Sequence, residues 1–384
     1  MRQENGIAGW QSARRLLAVR LDAMGDVVMT GPALRALKDQ LPGRHVTLLT
    51  SPAGAEAASL LPEVDESIVF QAPWMKPSPA GPGPAPTNEL ADRLRAGAYD
   101  AAVIFTVYSQ SPLPAALLLH LAEIPRALAY CRENPYHLLD RWIREPEPDE
   151  GVRHEVERHL RLVGTIGATT SDRSLRVTAR GAAHARVESL LQHLRLRGRH
   201  DWLVVHPGAS APSRRYPVEQ FAQALHLLHR EHGLGLVLTG SEEERHLVSE
   251  VRRLAGVPAT DLAGELDLHE LVALLERAPL LLANNTGPVH LAAGVGTPVV
   301  DLYALTNPQH TPWRVPSRVL FRDVPCRFCY SSRCPEGHHE CLRGVAPGEV
   351  AAAVLDLFGE TGSGVAAASD RYSSLRLPGL TGLP

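Results

Sequence analysis

The chain has 384 residues, 44% of them hydrophobic and 21% charged, enough for two well-filled domains. A net charge of −3 and a pI near 6.7 give no basic field, so no nucleic-acid partner is expected. No run approaches the ~18 apolar residues of a membrane span, which leaves at most a peripheral association with membrane, and a cytoplasmic location is expected.

Residues 1–13 read as a leader without structure. An apolar, β-rich run over 15–21 is broken by Asp22-Ala23-Met24-Gly25-Asp26. Leu34, Leu37 and Leu41 follow at helical spacing, in a helix that starts near Pro32 or kinks there and stops at Pro42-Gly43. Strands are expected over 45–50 and 67–70, with a helical segment over 54–61 between them. Residues 71–87 carry six prolines and two glycines, which no helix or central strand accommodates, so a mobile surface loop is expected. Strands over 100–106 and 126–130, a polar break over 145–151 and a helix over 152–163 complete the first set. A strand-like piece and a helix over 175–196 lead to the second.

There the alternation restarts: strand 202–206, helix 217–232, strand 234–239, helix 242–255, a short strand ending at Leu262, and a helix marked by Leu268, Leu271, Val272 and Leu275. Residues 280–283 form a strand that runs into Asn284-Asn285-Thr286-Gly287, and a helix is expected from Pro288. A strand feeding a glycine turn and a helix N-terminus aims several backbone N–H groups at one spot with the helix dipole behind them, an arrangement suited to phosphate. One more strand spans 298–302. A last helix, with Pro347 in its first turn and Gly359 as its stop, precedes a Gly/Ser/Pro-rich tail over 360–384 read as disordered. Strands alternating with helices predict α/β structure with parallel sheets, one in each of two domains, 14–180 and 181–346.

Five turns fall at the carboxyl ends of predicted strands, where open α/β sheets bind ligands. They are Asp22–Asp26, His206–Ser210 followed by Arg214-Arg215-Tyr216-Pro217, Thr239–Glu243, Leu262–Gly264 and Asn284–His290. In this order and spacing, from about residue 15 to 358, the chain resembles glycosyltransferase family 9, the lipopolysaccharide heptosyltransferases. The resemblance implies a GT-B fold, two Rossmann-like parallel-sheet domains facing a cleft. The first would hold a glycan or glycolipid acceptor and the second a nucleotide-sugar donor. It also implies that the helix over 347–359 returns to the first domain.

Asp26 matches the family's Gly-Asp and is the expected base for the acceptor hydroxyl; as the residue types stand, a helix N-cap is its competing role. Arg215, before the aromatic-Pro pair, is the expected cation for the departing diphosphate, in a pocket shaped by Gly208 and Ser210. Thr286, Gly287 and His290 are expected at the phosphates and sugar, and Thr239, Gly240 and Glu243 at the nucleoside. Asn285 is a departure, because the family pattern has aspartate there. By resemblance the expected activity is inverting transfer from a nucleoside-diphosphate sugar, with ADP as the nucleotide and heptose as the candidate sugar, and with no cofactor for catalysis. The rivals are a nucleotide-sugar epimerase and a binder or scaffold that has lost transfer. Acceptor contacts are expected from Arg126, Arg132 or Arg141.

Cys326, Cys329, Cys334 and Cys341 stand with x2, x4 and x6 spacing, and Cys131 stands alone. Thiolates so close in a cytosolic chain point to a structural metal, zinc or iron, with free or disulfide-linked cysteines as the alternative.

Overall fold

A computed structural model describes residues 2–75 and 85–362, and the chain divides into two compact units between residues 176 and 177. The first unit holds six strands: β1 (Arg15–Arg20), β2 (His45–Thr50), β3 (Glu66–Val69), β4 (Ala101–Ile104), β5 (Ala127–Cys131) and β6 (Arg141–Arg144). All pair in parallel, in the order β3-β2-β1-β4-β5-β6. The second unit repeats the plan with β7 (Trp202–His206), β8 (Gly235–Leu238), β9 (Thr260–Asp261), β10 (Leu281–Asn284), β11 (Val299–Leu302) and β12 (Ser317–Leu320). Its order, β12-β11-β10-β7-β8-β9, again places the first strand centrally, the next two on one side and the last three on the other.

That order is the doubly wound one, and it puts a topological switch point between β1 and β4 and another between β7 and β10. The central strands are buried on both faces, as sheets covered by helices on each side require. Each unit has its own core. In the first, Leu17, Val19 and Ile104 pack with Leu94, Leu118 and Leu119; in the second, Leu203, Val205 and Leu282 pack with Phe221, Leu225 and Val248.

Several expectations need correction. Residues 1–13 are not an unstructured leader: Arg2–Ser12 is a helix. Trp10 is fully buried, its Nε1 donates to Asp140 Oδ2 at 3.1 Å, and Arg44 Nη2 donates to its carbonyl at 2.7 Å. One aromatic anchor thus overrides a polar, glycine-containing local sequence. Of the two expectations at Pro32 the start there is wrong: the helix begins at Met24 and keeps Pro32 in its interior. Residues 76–84 of the proline-rich stretch lie outside the described residues, and 85–87 open the helix Ala85–Ala96 instead of closing a loop. The strand-like piece near 175 joins neither sheet; Val177 N donates to Gly294 O at 3.2 Å, and the helix Gly181–His193 follows.

The last helix, Pro347–Gly362, runs through Gly359. Val350, Val354 and Leu357 are fully buried in the second unit's own core, so its apolar face completes that unit. The remainder of the expected tail, 363–384, lies outside the described residues. Among the described residues no helix is long and apolar enough to cross a membrane.

Candidate active site

In the first unit the carboxyl end of β1 carries a buried guanidinium. Arg20 has no exposed surface and meets three carboxylates: Nε to Asp22 Oδ2 at 3.0 Å, Nη2 to Asp26 Oδ1 at 3.1 Å and Nη1 to Glu155 Oε1 at 3.0 Å. His159 Nε2 lies 3.1 Å from Nη1. Burial alone would weaken the arginine's hold on its proton. The pull of Asp22, Glu155 and Asp26 overcomes that and raises its pKa. The Asp22 carboxyl is raised as well, by burial first and by Asp26, against the lowering effect of Arg20. Burial pushes His159 down, so its ring stays neutral.

Asp26 sits in the first turn of the helix Met24–Gln40 with a side chain 17% exposed. Oδ1 faces Arg20 and Oδ2 accepts from Ala23 N at 3.1 Å. Asp26 is therefore not the N-cap, which is Ala23; it stands at the third helical position, reaches back to the N-cap N–H, and still reaches the surface. Of the arginines considered for the acceptor, Arg132 Nη2 donates to Glu147 O at 2.8 Å and Arg141 Nη2 to Thr165 O at 3.0 Å. Arg126 Nη1 reaches Asp100 O at 3.4 Å. All three hold backbone of their own unit.

In the second unit the switch point is held by a residue that sequence reasoning missed. Asn284, fully buried at the end of β10, accepts from Tyr216 N at 3.0 Å and donates through Nδ2 to Pro207 O at 2.6 Å. One amide thereby joins the turn after β7 to the Asn285-Thr286-Gly287 turn. The helix Gly287–Val295 begins one residue before the expected Pro288, with Thr286 at its N-cap. Its first N–H groups lie at the turn where the sequence leads one to expect an anion. His290 is buried, 4% exposed, with its ring edge-on to that of His310.

Gly208 and Ser210 lie in the turn after β7, Ser210 at the surface. Arg215 is exposed, and its Nε donates to Ala209 O at 2.8 Å. Thr239 is buried, and its Oγ1 donates to Val205 O at 3.3 Å and lies 3.1 Å from His206 Nδ1. Glu243 is exposed, whereas its neighbour Glu244 faces inward. Glu244 Oε2 accepts from Ser241 N at 3.0 Å and lies 3.6 Å from His206 Nε2. A Cβ on Gly208 would run into the Glu244 carboxylate, and one on Gly240 would come within 2.9 Å of Val248. At Gly240 the neighbour is a stiff valine, so packing favours glycine there, whereas the Glu244 carboxylate beside Gly208 is the end of a flexible side chain. Glu244 and His206 were legible only as a capping pattern, Ser241-x-x-Glu244, which says nothing about which glutamate faces the turn.

Asn285 is 2% exposed, and its Nδ2 donates to His310 O at 3.0 Å. On the adjacent strand Asp301 is fully buried, and no hydrogen bond of ordinary geometry reaches either carboxyl oxygen among the described residues. Burial raises its pKa well above the usual aspartate range, although the nearby Asn285 amide and the Arg214 charge both oppose this.

This sets the outcome of restoring the family's aspartate. Asn285→Asp removes the bond to His310 and places a second acid beside Asp301. Because the folded pKa of Asp301 lies above its unfolded value, the stability it contributes is full below the ordinary aspartate range and is lost as pH rises through the folded pKa. The variant is expected to lose little at pH 4.5 and substantially more at pH 8, on the order of 1.4 kcal/mol for each unit of added pKa displacement. Urea melts at the two pH values measure it, and equal losses would contradict the placement.

The four clustered cysteines and the lone Cys131 are free thiols. Cys326, Cys329, Cys334 and Cys341 line one pocket with His338, His339, Ser213 and Thr306. Cys131 is buried on β5, and burial, then its contact with Glu133, raises its pKa to about 11.

Two Rossmann-like units of this strand order form the α/β, GT-B type of fold found among glycosyltransferases that use nucleotide sugars. The crystal structure of a family 9 glycosyltransferase from Veillonella parvula shares it, with a TM-score of 0.73 at 21% identity over 90% of this chain and 97% of that one. So does the ADP-heptose lipopolysaccharide heptosyltransferase II of Escherichia coli, with a TM-score of 0.70 at 22% identity over 91% and 100%. In sequence, the chain is 24% identical over 363 residues to lipopolysaccharide heptosyltransferase 2 of Salmonella typhimurium, covering 91% of this chain and 99% of that protein. A shorter stretch of 111 residues, 28% of this chain, is 32% identical to 32% of the core heptosyltransferase OpsX of Haemophilus influenzae. The model of glycosyltransferase family 9 (heptosyltransferase) matches residues 87–339. The chain belongs to that family and is a glycosyltransferase.

Proposed function

We propose that this enzyme moves a heptose from ADP-heptose onto a lipopolysaccharide-type acceptor, with inversion at the sugar carbon and without a metal at the reacting centre. The single observation behind it is the Asn284 clamp. It joins the turn after β7, with Gly208 and Arg215, to the helix N-terminus at Thr286-Gly287. Backbone N–H groups and a cation on neighbouring turns suit a pyrophosphate leaving group. The donor and acceptor are taken from what the relatives' names say of them. Asp26, a partly exposed carboxylate anchored by Arg20, serves as the base that takes the acceptor hydroxyl's proton. Work at the inner face of a membrane fits such an acceptor.

The test is a donor panel, with release of free nucleotide and mass spectrometry of the acceptor as readouts. Transfer is expected from ADP-heptose, and ADP alone is expected to raise the melting temperature by several degrees at saturating concentration. An ADP shift without transfer from any donor would favour the binder reading. No shift and no transfer would remove the donor assignment.

A further inference from the structure

The segment between β12 and the short helix Glu340–Arg343, residues 321–339, has neither helix nor strand. It exceeds the ~12–15 residues beyond which structureless connections are uncommon in compact domains. It also holds three non-glycine residues in the left-handed region: Phe328 at φ 60°, Tyr330 at 51° and His339 at 54°. Such conformations persist only where surrounding structure fixes them. Its cysteines and histidines line a small pocket together with Leu305, Val324 and Pro335.

We propose that Cys326, Cys329, Cys334 and Cys341 form a thiolate centre for one divalent cation, zinc or iron, and that this centre holds the donor turn at Ser213–Arg215 in place. The donor set fits such an ion. Four cysteines line one pocket, none is in a disulfide, and His338 Nε2 stands 3.6 Å from Cys326 Sγ as a nearby fifth donor. Among the described residues no three such donors already stand at ligand geometry. Binding would draw the four thiols together about the ion, each releasing its proton to solvent as its sulfur takes a bond to it.

The link to the donor turn is a set of backbone bonds. Ser213 N donates to Ser332 O at 3.1 Å, and Ser213 Oγ to Ser331 O at 2.8 Å. Phe328 N donates to Leu305 O at 2.6 Å and Tyr330 N to Thr306 O at 2.7 Å, fastening the same loop beyond β11. Arg322 N donates to Cys341 O at 2.8 Å, closing the base of the segment. Ser213 is buried, two residues before Arg215 and three before Tyr216, whose N–H is held by Asn284. Ordering the cysteine segment thus orders one wall of the pyrophosphate turn. This coupling rests on the donor reading above; the metal centre itself does not.

The test begins with elemental analysis of the full chain as purified and after incubation with zinc sulfate followed by desalting. About one equivalent of zinc or iron per chain is expected, falling at least tenfold in Cys329→Ser/Cys334→Ser. ADP affinity, by calorimetry, is expected to fall about tenfold in chelator-treated protein and in the variant. Zinc should restore it only in the former, and circular dichroism should show both still folded. No metal in either preparation, with all four clustered thiols reacting at once with a thiol reagent, would overturn the centre. Metal bound with equal ADP affinity in loaded and depleted protein would overturn the coupling. Metal bound with no ADP affinity in any form would overturn the coupling through the donor reading and leave the centre standing.

Discussion

Asp26→Asn is expected to lower turnover at least about a hundredfold, within the range that a general base contributes, while ADP affinity stays within about twofold. The substitution is close to isosteric. The asparagine side-chain oxygen can still accept from Ala23 N, where Asp26 Oδ2 now sits at 3.1 Å, so the helix entry is kept. What is lost is a site for the acceptor's proton and one of three negative charges around Arg20. A purely capping role would show as a small shift in melting temperature with turnover preserved. A catalytic one separates the two, with a large fall in kcat and little change in nucleotide binding. Turnover equal to that of the wild type would end the assignment.

Arg20→Met is expected to cost about 3–5 kcal/mol of folding stability, the range seen when one partner of a buried ion pair is removed. Methionine nearly fills the volume, so the loss reports charge more than packing. Glu155 and Arg20 both have fully buried side chains, and Asp22 is 13% exposed. Without the guanidinium, the carboxylates face one another in a poorly solvated site, and one or more must take up a proton to remain there. Against a typical total of roughly 5–15 kcal/mol, such a loss puts the first unit close to unfolding, and it should flatten or reverse as pH is lowered. Urea denaturation at pH 5 and pH 7.5 measures both effects. A loss under about 1 kcal/mol at neutral pH would show that the network contributes little, as an exposed pair would.

The central strands were legible because parallel strands covered on both faces appear as unbroken apolar runs, as in the segments that became β1, β2, β7 and β10. The outer strands β6 and β12, Arg-Trp-Ile-Arg and Ser-Arg-Val-Leu, were not, because each lies at a sheet edge and is only partly buried. The helix Arg2–Ser12 was hidden for a different reason: its stability comes from Trp10 and partners far along the chain, which no local pattern records. At the candidate site, the turn at Asn285–Gly287 could be read from its strand-turn-helix grammar. Arg20, Asn284 and Glu244 could not. Each acts by bridging segments remote in sequence, and a buried arginine ending an apolar strand looks like the first polar residue of a loop. The phase of the turn after β8 also escaped, which is why Glu243 was chosen and Glu244 faces inward.

The cluster at the end of β1 has an electrostatic consequence for what can bind there. Asp22, Asp26 and Glu155 outnumber the one guanidinium they surround, and His159 adds no cation because burial keeps its ring neutral. Even with the Asp22 carboxyl shifted toward its acid form, the balance there is negative. A surplus of fixed negative potential discourages phosphorylated groups from settling beside β1.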